Sequence, residues 1–230
     1  MEIIGHIYTD FPENFGIPRQ SNIVETLDGT IIFEPKYRHP SAINGLSDYE
    51  YIWVLFQFHQ ALRNDDKFNA TVKPPKLGGN TPMGVFATRS PFRPNNIGLS
   101  SVRLVRIEYT EKLGPVLHVK GADMVNGTPI IDIKPYLPYT DSHPDARSGF
   151  AGNISAYELE VTFASADLRK LALDSIGSEK YATLIALLSE DPRPGYSNNT
   201  SKEYGVSFAG INVRFVVNNK ILVVTDITKL

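Results

Sequence analysis

A chain of 230 residues with 42% hydrophobic and 21% charged side chains has the make-up of a soluble globular protein, one large domain or a main domain with a smaller one. Its net charge of −2 excludes a polycation that coats nucleic acid indiscriminately, and its lack of cysteine excludes disulfides, thiolate metal sites and cysteine nucleophiles. No apolar run approaches the roughly 20 residues of a membrane span. The opening residues MEIIGHIYTD also lack a signal peptide's basic and apolar regions, so a cytoplasmic protein without membrane association is expected.

Residues 3–8, rich in β-branched and aromatic side chains, read as a first strand. The segment Phe15-Gly16-Ile17-Pro18-Arg19-Gln20 follows, a turn shaped by glycine and proline that ends in polar groups able to face a ligand or to bond their own backbone. Asp28-Gly29 is a tight-turn dipeptide, so residues 30–33 are expected to complete a hairpin. The nearly continuous apolar run over residues 51–58 predicts a buried central strand that delivers His59 and Gln60 to the edge of the core. A lone histidine there is more often a satisfied structural residue than a base.

The most informative stretch is residues 73–104, KPPKLGGNTPMGVFATRSPFRPNNIGLSSVRL. Residues 83–87 read as a strand feeding a loop in which Pro91 and Pro94 each hold φ at about −65° and remove a backbone donor. Arg89 and Arg93 therefore stand on a stiff support. A guanidinium held this way loses little entropy on gripping a carboxylate or phosphate, and the loop reads as a preformed anion clamp. Two solvated arginines on a surface turn are the plainer alternative.

Residues 101–110 alternate apolar and polar, and the pattern shifts at Val105 as a bulge would shift it. Residues 116–120 and 130–133 continue the series across the turn at 121–129. Short strands at regular intervals, with few helical patterns, argue a closed or nearly closed β-barrel. Residues 138–156 then turn polar and small, marking a seam. Residues 157–163 alternate as a strand, residues 166–176 suit a short helix, and Ser178 caps a second helix to about Glu190, stopped by Asp191-Pro192-Arg193-Pro194-Gly195-Tyr196. Residues 204–208, 211–217 and 221–227, with a turn at Asn218-Asn219, read as a small antiparallel sheet. The expected organisation is mainly β: a barrel over residues 1–140, a linker over 141–156, and a small α+β domain over 157–230.

Dinucleotide-binding Gly-x-Gly-x-x-Gly, P-loop and His-Glu-x-x-His motifs are all absent. Ser90 lacks the context of a nucleophile elbow, and the five histidines show no metal-ligand spacing, so no metal is expected. Between Arg63 and Arg106 eight basic residues meet only Asp65 and Asp66, which predicts a local positive face. The polar loops could line one mouth of the barrel, with Arg89 holding a carboxylate and Asp123 or Asp132 accepting from hydroxyls or an amine. The residues alone define a β-barrel that binds a zwitterionic or anionic ligand, with or without a nucleic-acid partner.

The runs GVFATRSPFRPNNIGLSSVRL, KPPKLGGN, GADMVNGTPIIDIKPYLPY, DPRPGY and YGVSFAGINVRF together resemble the TsaA/YaeB group, also called the TrmO family. The resemblance covers nearly the whole chain. It implies a non-Rossmann methyltransferase that binds S-adenosylmethionine in a β-barrel and methylates N6 of threonylcarbamoyl-adenosine beside the anticodon of tRNA, typically as a homodimer. Carried to matching positions, it implies cofactor contacts at Pro18, Arg19, Gln20, His59, Gln60, Arg89, Leu99, Lys120, Gly121, Ala122 and Asp123. Asp191, Arg193 and Tyr196 fall to the tRNA side, and Arg93 in the arginine loop is a further substrate-binding candidate. Asp132 and His59 are candidate bases, with hydrogen bonding inside the barrel as the competing role. A binding module without catalysis, or a purely structural interaction protein, stays open at this level.

Overall fold

Strands whose every second residue is apolar cannot bury that face alone, and here six of them close on themselves. The computed structural model describes residues 1–61, 68–74, 81–153, 158–193 and 202–230. In chain order come β1 (Gly5–Thr9), β2 (Asp28–Phe33), β3 (Tyr51–Gln57), a two-residue pair β4 (Thr71–Val72) and β5 (Met83–Gly84), then β6 (Ile97–Thr110), β7 (Gly114–Lys120) and β8 (Thr128–Pro135). The barrel runs β1-β2-β7-β6-β3-β8 and back to β1, every neighbour antiparallel. Its interior is filled by Ile7, Ile31, Ile52, Val54, Phe56, Val102, Leu117, Val119, Met124 and Ile130, all nearly inaccessible. Each such side chain contributes about 1.5–3 kcal/mol on burial.

Antiparallel closure fixes where the connections emerge. Thr9, Asp28, Gln57, Ile97, Lys120 and Thr128 all lie at one end of the barrel, so the loops 10–27, 58–96 and 121–127 leave from that end. The expected bulge is present: the register of β6 against β7 shifts between Leu104 and Arg106, leaving Val105 exposed.

The remaining elements are α1 (Pro138–Asp141), β9 (Glu160–Phe163), α2 (Ala166–Ser189), β10 (Tyr204–Phe208), β11 (Ile211–Asn218) and β12 (Ile221–Lys229). Strands β10-β11-β12-β9 form a second sheet against which α2 packs. Asp141 at the end of α1 accepts from Trp53 Nε1 at 2.7 Å and from the Leu137 N–H at 3.0 Å, fastening the seam to the barrel's outer face. Those two donors hold the Asp141 carboxyl below its ordinary range.

Three local expectations are revised. Asp28-Gly29 is not a hairpin turn but the start of β2, opposite Lys120 and Val119. Glycine is needed there because a Cβ would press to 2.9 Å on Ile7 and 3.0 Å on Val119. Of residues 83–87 only Met83 and Gly84 are strand, and Val85–Ala87 tighten into a 3-10 turn. The two expected helices are one continuous element, kinked at Gly177 (φ 77°) next to Ser178. The expected antiparallel sheet of β10, β11 and β12 is present, and β9 extends it by running parallel to β12.

The chain does not respect the seam in its packing. Phe11, Val24 and Leu27, from the loop between β1 and β2, are buried in the core formed by α2 and the second sheet, and Phe15 and Ile17 pack against it. The Phe11 and Phe208 rings stand 5.4 Å apart, the Ala209 N–H donates to the Asp10 carbonyl at 3.0 Å, and Lys180 pairs with Asp10 at 2.6 Å.

Candidate functional site

The arginine loop is tied to itself. The Thr88 hydroxyl donates to the Val85 carbonyl at 2.9 Å, the Ser90 and Phe92 amides donate to the Thr88 and Ser90 hydroxyls, and the Arg93 amide donates to the Pro91 carbonyl at 2.9 Å. Arg93 Nη1 donates to the Thr88 carbonyl at 3.1 Å, so this guanidinium braces its own loop. The Phe58 amide donates to the Asn96 carbonyl at 2.9 Å, which joins the loop to the rim beside β3. Gly98 then lies against Phe56 so closely that a Cβ would sit within the aromatic ring. Glycine at this position, the second residue of β6, lets the strand that follows the arginine loop seat on the barrel core.

Arg89 is exposed and reaches across to the second loop, donating from Nη1 to Gln20 Oε1. Gln20 Nε2 donates in turn to the Arg19 carbonyl, and Arg19 Nη2 donates to the Arg193 carbonyl at 3.0 Å. Pro18 is buried, and the segment is pinned to the third loop by the Asn22 amide donating to the Gly121 carbonyl at 3.0 Å. Asn22 Nδ2 also donates to the Ser101 carbonyl at 2.9 Å.

The third loop supplies Asp123, which accepts from the Ser100 hydroxyl at 2.7 Å. Burial pushes its carboxyl above the ordinary range, against the opposing pull of that hydroxyl, the nearby Arg89 guanidinium and the Ser21 amide. Arg89, Gln20 and Asp123 thus come together from three separate loops, and Gly121 and Ala122, which precede Asp123, are buried. His59 stands on the rim, its amide donating to the Gln57 carbonyl at 2.8 Å, and Gln60 accepts from Asn14 at 2.7 Å.

Other candidates are placed differently. Lys120 sits at the end of β7, but its ammonium is engaged by Glu179 at 3.4 Å and Asp28 at 3.8 Å. Leu99 is exposed on the barrel's outer face, opposite Leu55, which in turn faces Asp132. Asp132 pairs with Lys134 at 2.8 Å and accepts from the Ile133 amide at 2.9 Å. Arg193 grips Asp191 with two parallel bonds, Nε to Oδ1 at 2.7 Å and Nη2 to Oδ2 at 2.8 Å, the two side chains only 11% and 15% exposed. Tyr196 lies outside the described residues, as do Arg63, Lys67 and Lys76 of the expected positive face. Two further members of that face are neutralised, Arg103 by Glu50 at 3.1 Å and Arg106 by Glu108 at 2.7 Å.

Sequence reasoning missed Ser100, Ser21 and Asn22. Ser100 left a signal: it occupies an inward register position in β6, two residues before Val102, where a hydroxyl needs a buried partner. Asn22 left a weaker one, its left-handed backbone (φ 62°) being a conformation asparagine tolerates better than most. No group of three or more histidine, aspartate or glutamate side chains suited to a metal occurs among the described residues. Nor is any helix among them long and apolar enough to cross a membrane.

A mouth of this kind suits a small anionic or zwitterionic ligand, and it is made without the strand-to-helix turn that nucleotide-binding parallel sheets use. The class is therefore a ligand-binding β-barrel carrying an α+β unit. Within that class the chain belongs to the TrmO family: residues 6–142 match the tRNA-methyltransferase O N-terminal domain and residues 156–230 match the TrmO C-terminal domain. It is 39% identical over 221 residues to the tRNA (adenine(37)-N6)-methyltransferase of Escherichia coli K12, covering 95% of this chain and 93% of that protein. A putative S-adenosylmethionine-dependent methyltransferase, RcsF, of Pseudomonas aeruginosa is 38% identical, with 92% and 90% covered. The crystal structure of TrmO from Pseudomonas aeruginosa superposes with a TM-score of 0.76 at 30% identity, covering 99% of this chain and 96% of that one.

Proposed function

We propose that this chain transfers the methyl group of S-adenosylmethionine to N6 of adenosine 37 in tRNA, and that its preferred acceptor carries the threonylcarbamoyl group. The observation that carries the reading is the convergence of Arg89, Gln20 and Asp123 at one mouth of a closed barrel, in a chain matched end to end by a tRNA-methyltransferase family.

The residues fit the cofactor. Arg89 offers an exposed guanidinium fork to its carboxylate, Asp123 a partly shielded acceptor for its amine or hydroxyls, and Leu99 an exposed apolar side chain for a ring. Pro18, Arg19, Gln20, His59, Gln60, Lys120, Gly121 and Ala122 complete the binding set in this reading, Lys120 through its backbone because its ammonium is already paired. When bound, the cofactor supplies an electrophilic methyl group on a sulfonium. Transfer to nitrogen is an in-line displacement whose rate depends on alignment, so the work of the chain is to fix orientation and keep water out. A carbamoyl substituent drains the acceptor's lone pair but acidifies its N–H, which gives a base a role. His59 on the rim suits that role better than Asp132, whose carboxylate is held by Lys134.

We further propose a cytoplasmic homodimer, with the division at residues 1–140, 141–156 and 157–230 marking catalytic barrel, linker and tRNA-side unit. Phe68 and Phe86 stack 6.2 Å apart while remaining 61% and 72% exposed, and Phe92 is exposed in the same loop; a second copy would cover this apolar rim. The deciding experiment is labelled methyl transfer from S-adenosylmethionine to tRNA with and without threonylcarbamoyl at position 37. Label appearing on the modified tRNA supports the reading. No transfer to either tRNA would reduce the chain to a binding module.

A further inference from the structure

Between the turn after α2 and the barrel mouth runs a series of polar contacts. Asp191 holds the Arg193 guanidinium by both arms; the Arg193 carbonyl accepts from Arg19 Nη2 at 3.0 Å; the Arg19 carbonyl accepts from Gln20; and Gln20 accepts from Arg89, which lies beside Asp123. Asp191 and Arg193 belong to the turn after α2, and Arg19, Gln20, Arg89 and Asp123 to the mouth.

We infer that Asp191 and Arg193 are positioning residues for the ligand site, acting through Arg19, and not direct contacts for RNA phosphate. This rests on the reading of the mouth as the S-adenosylmethionine site. Three observations support it. An arginine whose fork is filled by a carboxylate and whose side chain is 11% exposed is poorly placed to take a phosphate. Asp191 turns the chain in the left-handed region at φ 50°, which aspartate tolerates, and this aims its carboxylate at the guanidinium two residues on. The Arg193 amide also donates to Asp191 Oδ1 at 3.3 Å, so the carboxylate holds both the backbone and the side chain of the residue whose carbonyl receives Arg19.

Arg19 itself is exposed and long, with many rotamers open to it. A fixed carbonyl at its tip selects one of them, which settles the Arg19 backbone and with it the amide of Gln20. The consequence is a mouth set partly by the C-terminal unit, so a change at Asp191 is read out as altered cofactor binding.

The test uses the full chain, with Asp191→Asn and Arg193→Lys, measuring cofactor affinity by calorimetry and tRNA kinetics at saturating cofactor. Asparagine tolerates left-handed φ, so Asp191→Asn keeps the turn and removes the charge-assisted grip on Arg193. The expected result is cofactor binding weakened about 3- to 20-fold with the KM for tRNA unchanged, in keeping with the loss of a charged hydrogen bond felt indirectly. In an Arg19→Met background the same substitutions should cost less than about 2-fold, because the route is already cut. Unchanged cofactor affinity with a raised tRNA KM would overturn the inference in favour of direct RNA contact. Unchanged affinity with only a lower Tm would overturn it in favour of plain fastening. Equal losses in both backgrounds would remove Arg19 from the route. If Arg193→Lys fails to fold, the Asp191→Asn pair of measurements decides alone. Wild-type protein that binds no cofactor would overturn the reading of the site and this inference with it, an outcome distinct from any mutant result.

Discussion

Replacing Arg89 by alanine isolates the anion clamp. Its side chain is exposed, donates once to Gln20, and lies near enough to Asp123 to oppose the upward shift of that carboxyl. Losing a charge-assisted hydrogen bond to the cofactor's carboxylate costs about 1.5–3 kcal/mol, or roughly 10- to 150-fold in affinity. Folding should barely register the change, because an exposed, solvent-screened hydrogen bond from a guanidinium to an amide oxygen contributes at most about 1 kcal/mol, equivalent to roughly 2–4 °C in a chain of this size. Removing the cation also lets the Asp123 carboxyl rise further, so cofactor binding by Arg89→Ala should fall off at higher pH than in the wild type as the solution is acidified. Calorimetry at several pH values, with a thermal melt on the same sample, measures all three. Arg89→Lys, which keeps the charge but lacks the planar fork, should fall between the two. A folded Arg89→Ala protein whose affinity stays within about 2-fold of wild type would remove Arg89 from the site.

Asp123→Asn should raise Tm at neutral pH, since burial lifts the carboxyl above its unfolded value and ionising it opposes folding. The gain should shrink as pH falls through the ordinary carboxylate range, below which both states are protonated; a Tm difference independent of pH would refute this. Gly98→Ala forces a methyl group into the Phe56 ring and should cost about 1–3 kcal/mol, or roughly 3–10 °C in Tm, with a wild-type melt as the contrary result. If the apolar rim at Phe68 and Phe86 is covered by a second copy, Phe86→Ser should lower dimer content and activity together in a dilution series followed by light scattering. A fully active monomer would contradict it.

The sequence was most legible where one physical cause dominated. Alternation across residues 101–110 located the bulge at Val105 because a one-residue slip moves every later side chain to the other face. The Gly-Ser break at 177–178 was visible because glycine followed by a capping residue interrupts a helical stripe. Asp28-Gly29 misled because the same dipeptide serves a turn and a close strand crossing, and only the approach of Ile7 and Val119 tells them apart. The parallel pairing of β9 with β12 has no local signature at all, since both strands alternate whichever way they run. At the site, the arginine loop announced itself through proline and glycine, whereas Asp123's partner Ser100 and the occupied state of Lys120 depend on contacts made between distant segments.

The loop between β1 and β2 carries Pro18, Arg19 and Gln20, yet its apolar side, Phe11, Val24 and Leu27, is buried against Phe208, Val206 and their neighbours near the end of the chain. During synthesis, the barrel strands and the arginine loop leave the ribosome well before the residues that hold this loop down. One wall of the ligand site therefore takes shape last, after the final strands have emerged. Until those strands emerge, a nascent chain long enough to close the barrel carries Arg89 beside an aligning loop that is already made but not yet held down.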